Sequence, residues 1–286
     1  MKFFFLFALL LAFAGNIRSQ CSDAGVCIIG DKHRKTEVSG SSVSFIYSIG
    51  QSGNSGSGTD DNITFHTFRF GSNFALSKSF SVALTVPVVS MVFSEPGTLN
   101  KNGLADATVL ANYYLPTGKL KNISFMGGFK LATSGIEPDK FKHFNAQGTN
   151  DLLLGIDYNY SFLNVSAGTQ IPLTQYDRDY KYSRGADLMF RAGYQRKASD
   201  LIIKFEMLGI KRLSKSESTP AGGTTTVIEN SDFFQLNIMG GLMYYFSNDF
   251  MGGLNVYIPM LKRDENSDGT KRTFTVSAGF SYLYNL

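Results

Sequence analysis

The 286-residue chain carries 27 basic and 23 acidic residues for a formal net charge of +4, and it is 43% hydrophobic, 14% aromatic and only 17% charged, below the ~25% charged residues of soluble domains. Seven prolines, 29 glycines and no tryptophan exclude collagen-like and proline-rich disordered classes. The charge is balanced and scattered, which excludes a nucleic-acid reader with its basic stripe.

Lys2 followed by the apolar run Phe3 to Ala14 is the positive end and short apolar core of a secretory signal peptide. That run falls short of the ~20 apolar residues of a spanning helix, and no later stretch is longer, so a helical membrane protein is excluded. Cleavage fits after Ala14 or after Ser19, and the second is preferred, giving a signal peptide over residues 1–19. Gln20 precedes Cys21 where lipidation requires a small residue. Residues 20–40 are expected to form a short periplasmic segment in which Cys21 and Cys27, the only cysteines, close a small disulfide loop. With no third cysteine and no histidine pair beside them, a zinc site lacks ligands.

Residues 41–286 read as segments with apolar side chains at every second position, the period of strands with two different faces. In 79–91 Phe80, Val82, Leu84, Val86 and Val88 oppose Ser81, Ala83, Thr85 and Pro87. In 122–132 Ile123, Phe125, Phe129 and Leu131 oppose Ser124, Met126 and Lys130. The same alternation sets Leu152, Leu154, Ile156 and Tyr158 against Asp151, Leu153 and Asp157, then Leu188 and Phe190 against Asp187, Met189 and Arg191. It continues with Leu201, Ile203, Phe205 and Met207 against Lys204 and Glu206, and ends with Phe274, Val276, Phe280, Tyr282, Tyr284 and Leu286 against Thr275, Ser277 and Ser281.

About twelve such segments lie near 41–49, 63–70, 79–91, 104–115, 122–132, 150–160, 164–172, 184–195, 199–209, 232–246, 250–260 and 271–285. Their connections alternate between short ones such as SFLN and RKAS and long polar ones such as TSGIEPDKFKHFNAQGT and KRLSKSESTPAGGTTTVIENS. That order predicts an all-β fold: a single antiparallel transmembrane β-barrel of about twelve strands, with short periplasmic turns and long extracellular loops. A secreted two-layer sandwich also has alternating strands. It is disfavoured because its dry core would reject Lys130, Asp157, Arg191, Lys204 and Glu206, whereas a barrel lumen accepts them.

The inward positions that carry charge, Asp106, Lys130, Asp157, Asp187, Arg191, Lys204 and Glu206, are the candidate pore-lining residues, with a cross-strand pair expected between Arg191 and Glu206. Met126, Met189, Met239 and Met243 share the inner face. Tyr113, Tyr158, Tyr160, Tyr194, Tyr245, Tyr257, Tyr282 and Tyr284 are expected to form aromatic girdles at the lipid boundary. Of His33, His66 and His143 only His66 lies in a strand, with Ser44, Ser48 or Thr64 as candidate neighbours for hydrolytic chemistry, and no nucleophile, metalloprotease or nucleotide motif accompanies it. The acids of DENSDG lack the closing glutamate of a calcium loop. Neither a metal, a cofactor nor an enzymatic activity is expected.

At GLADATVLANYYL, GGFKLATSGI and GTNDLLLGIDYNYSF, together with SVALTVPVV, the chain resembles the outer-membrane barrels of the MetA-pathway of phenol degradation family, which are transporter-like. The matched positions are Gly103, Asp106, Lys130, Gly135, Gly148 and Asp151. Ser134, inserted between Thr133 and Gly135, and the terminal Leu286 in place of phenylalanine depart from that pattern. The resemblance implies passive passage of small apolar or aromatic solutes and no cofactor. The expected setting is the outer membrane of a Gram-negative bacterium, with lipid and lipopolysaccharide around the barrel and the assembly machinery engaging its C-terminal strand. The alternatives are a closed barrel serving as a surface anchor or binding protein and, third, an outer-membrane hydrolase. Residues 133–149 and 211–231 are candidate lids.

Overall fold

The computed structural model describes residues 40–54, 63–93, 101–118, 121–134, 148–177, 180–220, 222–261 and 270–284. The expected signal peptide over 1–19, Cys21 and Cys27, His33, Gly135, His143, the acids of DENSDG and Leu286 lie outside them. In chain order the strands are β1 (Ser41–Asn54), β2 (Ile63–Ala75), β3 (Phe80–Phe93), β4 (Lys101–Leu104), β5 (Ala107–Gly118), β6 (Lys121–Leu131), β7 (Asp151–Tyr160) and β8 (Leu163–Pro172). They continue with β9 (Tyr176–Asp177), β10 (Tyr180–Ser183), β11 (Asp187–Ala198), β12 (Leu201–Arg212), β13 (Ser216–Pro220), β14 (Thr226–Ile228), β15 (Phe234–Tyr245), β16 (Phe250–Leu261) and β17 (Thr270–Tyr284).

Each barrel strand pairs antiparallel with its chain neighbour, and β17 pairs with β1 from Ser41↔Tyr284 to Asn54↔Thr270, so no edge remains open to lipid. The result is a closed barrel of twelve strands, in which β4 and β5 count as one strand interrupted at Ala105 and Asp106. The interruption falls opposite Pro87, which has no N–H to donate; Ala105 N–H instead donates to the Pro87 carbonyl at 2.9 Å. Both described ends of the barrel, Ser41 and Tyr284, lie with the short turns. Two of these turns hold only two residues, and their first residues, Ser161 and Ser199, take φ of 50° and 55° as tight hairpins require.

The alternation read from the sequence is the one observed. Phe70, Phe129, Phe190, Phe205 and Phe280 stand 48–59% exposed on the outside, a surface that only lipid can cover. Met126, Leu153, Lys130, Arg191 and Glu206 are buried on the inside. Gly128 marks the tightest approach in the wall, since a Cβ there would collide with the Val109 carbonyl oxygen and lie 2.8 Å from the Leu110 Cα. Gly128→Ala is therefore expected to force β5 from β6 at a cost of about 1–3 kcal/mol. A lowered urea midpoint of the heat-modifiable gel band would register it, and an unchanged midpoint would refute the close approach.

Several expectations shift. The strand expected to end at 209 continues to Arg212, and the one expected at 184–195 runs from Asp187 to Ala198, because cross-strand pairing carries the ladder past the apolar pattern. The two long connections around β11 and β12 are partly ordered: β9, β10, β13 and β14 form a separate four-stranded sheet, with Tyr182↔Ser218 and Glu217↔Val227 in register. Tyr113, Tyr158, Tyr160, Tyr194 and Tyr282 are exposed on the outer wall as girdle residues. Tyr245 and Tyr257, expected beside them, line the interior, because Tyr257 has the parity of Asn255 and Tyr245 that of Met243.

Candidate functional site: a layered lumen

The inner wall changes character along the barrel axis in three layers. Parity selects the residues that face inward, and antiparallel register stacks like with like.

Toward the long loops the wall is charged on the side of β5 to β12, while Phe65 of β2, Val89 and Met91 of β3 and Ala105 form a buried apolar cluster at the same end. Lys130, directly opposite Asp151 across β6 and β7, places its Nζ 2.8 Å from Asp151 and 3.3 Å from Asp106. Arg184, from the segment entering β11, bridges Asp151 at 2.6 Å and Asp187 at 3.0 Å, and Arg212, opposite Asp187, donates to both its carboxylate oxygens at 3.1 and 3.0 Å. Gln170 Nε2 donates to Asp151 and Arg212 Nη1 to Ser216 Oγ. The chain Asp106, Lys130, Asp151, Arg184, Asp187, Arg212 thus alternates in sign and sums to zero. All six residues are no more than 6% exposed. Such charges are held in a dry setting only because each has partners.

The middle layer is apolar. Leu110, Met126, Leu153, Met189, Leu208 and Ile210 form one buried cluster contributed by β5, β6, β7, β11 and β12, with Ala83 packed against it. Toward the short turns the lumen widens into a cavity of about 300 Å³. Its wall carries amides and hydroxyls, including Asn112, Asn122, Ser124, Asn159 and Asn164, and also Lys204, Glu206 and Asp157. Here Asn164 donates to Asn159 at 2.8 Å and Ser124 to Asp157 at 3.0 Å.

Of the seven charged positions singled out in the sequence, Asp106, Lys130 and Asp187 join the charged layer, while Asp157, Lys204 and Glu206 line the cavity. Arg191 reaches Glu206 at 3.0 Å from a diagonal position, since Gly193 is the residue directly opposite, and Lys204 holds the other Glu206 oxygen at 2.9 Å. Sequence reasoning passed over Arg184 and Arg212. Arg212 continues the inward series Lys204, Glu206, Leu208, Ile210, and extending that parity three residues would have found it. Arg184 lies outside any strand, and no periodicity points to it. Asp151 was placed on the inner face by its alternation and matched in the family motif, but it was not among the candidate pore-lining residues. Met239 and Met243 are also buried inside, Met243 with Ile202 and Met251 near the short turns.

His66 faces outward. Ser44 and Ser48 have inward parity and lie across the wall from it; its partner is Tyr47, whose hydroxyl lies 2.7 Å from His66 Nδ1. The two serines expected beside His66 therefore lie on the opposite face of the wall, while Thr64, two residues before it in β2, shares its face.

No family model matches the chain, and no curated protein matches it. Its structure is similar to an outer-membrane channel from Pseudomonas putida F1, with a TM-score of 0.69 at 9% identity over 88% of this chain and 99% of that one. It is also similar to the translocator domain of the autotransporter NalP from Neisseria meningitidis, with a TM-score of 0.52 at 12% identity over 88% and 90% of the two chains. At such identities the likeness carries the fold alone. Together with the closed ring and the aromatic, apolar outer band, it makes this chain an outer-membrane β-barrel.

Proposed function

We propose that the barrel is an outer-membrane channel for passive diffusion of small apolar or aromatic solutes. The observation that supports this reading is the apolar layer across the middle of the lumen. A water-filled porin presents a polar interior throughout, whereas here Leu110, Met126, Leu153, Met189, Leu208 and Ile210 occupy that position. An apolar solute replaces side-chain contacts there without losing hydration, and a sugar would shed its water shell for nothing. In this reading Asp106, Lys130 and Asp187 belong to the outer gate. Asp157, Arg191, Lys204 and Glu206 border the inner mouth, and of the candidate lids the described part beyond Arg212, which carries β13 and β14, takes that role. Lipid and lipopolysaccharide surround the wall, and the assembly machinery engages the C-terminal strand. The reading assigns no catalysis.

The charged groups favour a second reading, a closed barrel that anchors loops at the surface, because a neutral chain of six buried, paired ionic groups occupies one side of the outer lumen. Uptake by intact Gram-negative cells separates the two. Cells with the barrel in their outer membrane are expected to take up N-phenyl-1-naphthylamine faster than cells with an empty vector, with no gain for a sugar of similar size. Equal aromatic uptake from a correctly inserted, heat-modifiable barrel would exclude transport and leave the closed reading.

A further inference from the structure

We propose that the cavity at the short-turn end binds the uncharged, hydroxyl-bearing head of an amphiphile whose apolar part rests against the middle layer. The inference takes its apolar part from the channel reading and adds the chemistry of the head.

Five features carry it. The cavity measures about 300 Å³, the lower end of small-molecule sites and enough for one sugar-sized ring. Its wall is rich in neutral hydrogen-bonding groups, among them Asn112, Asn122, Asn159, Asn164, Gln195 and Asn255. Some of these are unmatched within the protein: Asn112 Oδ1, Asn122 Oδ1 and Ser277 Oγ are buried atoms with no hydrogen-bond partner, and Asn112 is only 2% exposed. A hydroxyl both donates and accepts, so it matches an amide oxygen, an amide nitrogen or a serine.

The charges of the wall are close to balanced. Arg69 and Lys204 oppose Asp157 and Glu206, and Arg191, behind Glu206, shares that carboxylate with Lys204 at 3.0 and 2.9 Å. A cationic head would lose its hydration and find no excess of negative charge, and an anionic head would exchange its hydration for an excess of one positive charge. Leu110 and Met126 belong both to the cavity wall and to the apolar layer, so one molecule with a polar and an apolar end spans the boundary between them.

The test uses the full chain in lipid nanodiscs and saturation-transfer NMR, with hexyl glucoside, hexyltrimethylammonium and heptanoate as probes of equal tail length, and empty discs to subtract lipid partitioning. The glucoside is expected to saturate and to bind at least about tenfold more tightly than either ionic probe, the discrimination of one well-used hydroxyl site. Asn112→Leu and Asn122→Leu should each weaken the glucoside several-fold and leave heat-modifiable migration intact. Asn122 is half-buried at the second position of β6 and keeps the test open should Asn112→Leu fail to fold. Equal or tighter binding of an ionic probe, no binding above empty discs, or a glucoside affinity untouched by both variants would overturn the site. Saturable glucoside binding in a barrel that moves no solute supports the site and removes the channel; aromatic flux without any head preference removes the site alone.

Discussion

Replacing Asp187 by alanine is expected to cost about 3–5 kcal/mol, the penalty for removing one partner from a buried ionic cluster. Asp187 is fully buried and receives both Arg184 and Arg212. Without it Arg212 loses the carboxylate that receives its Nε and Nη2, and Arg184 loses one of its two carboxylates and keeps Asp151. The loss follows from stranded charge and not from the missing contact, so converting Asp187 to leucine and Arg212 to methionine together should restore most of the stability, as apolar replacement of a whole buried pair does elsewhere. Urea unfolding of the refolded barrel, followed by gel migration and tyrosine fluorescence, measures both variants. A cost under about 1 kcal/mol for Asp187→Ala would show that water reaches the layer and that its groups are solvated. Arg184 also ties the segment ahead of β11 to the wall, so the single variant should expose Arg184 and Tyr182, both buried here, to added protease.

Phe190→Arg is expected to destabilise the inserted barrel by about 2–4 kcal/mol, the cost of an arginine on the lipid face near the midplane. Phe190 is 59% exposed on the outer wall, opposite Ala167 on one side and Gly209 on the other. The same residue placed by Asn255→Arg would enter the polar cavity and should change stability by less than about 1 kcal/mol, since lumen positions tolerate charge. The contrast between the two sites tests the inside and outside of the wall directly. Similar costs at both, measured by reversible unfolding from lipid bilayers, would place residue 190 away from lipid and overturn the assignment of faces.

Within the strands the sequence carried nearly all the information about facing. A period of two leaves one choice per strand, and the contrast between Phe125 or Phe129 and Lys130, or between Phe205 and Glu206, makes that choice costly to reverse, because one residue of slippage would turn every charge to lipid. The diagonal pair Arg191 and Glu206 was legible for the same reason, the short RKAS turn fixing the register between its two strands. Where strands end was less legible. The ladder carries β12 on to Arg212 through Lys211 and the cross-strand partner Asp187, so the apolar pattern stopped before the strand did. Tyr245 and Tyr257 looked like girdle residues because tyrosine suits an interface, but a tyrosine near a strand end also suits the mouth of a polar cavity, and parity decides between them.

By itself the sequence determined the closed antiparallel barrel, the order of short turns and long loops, and which side chains meet lipid, because each depends on residues adjacent in the chain. Only the tertiary structure decided what the lumen contains. The layers join residues as distant as Asp106 and Arg212, and Leu110 and Ile210, at depths set by the stagger of twelve strands, and Arg184 enters from a segment with no period at all. Which inward groups meet across a barrel depends on its circumference and register, sums over every strand that no local pattern records.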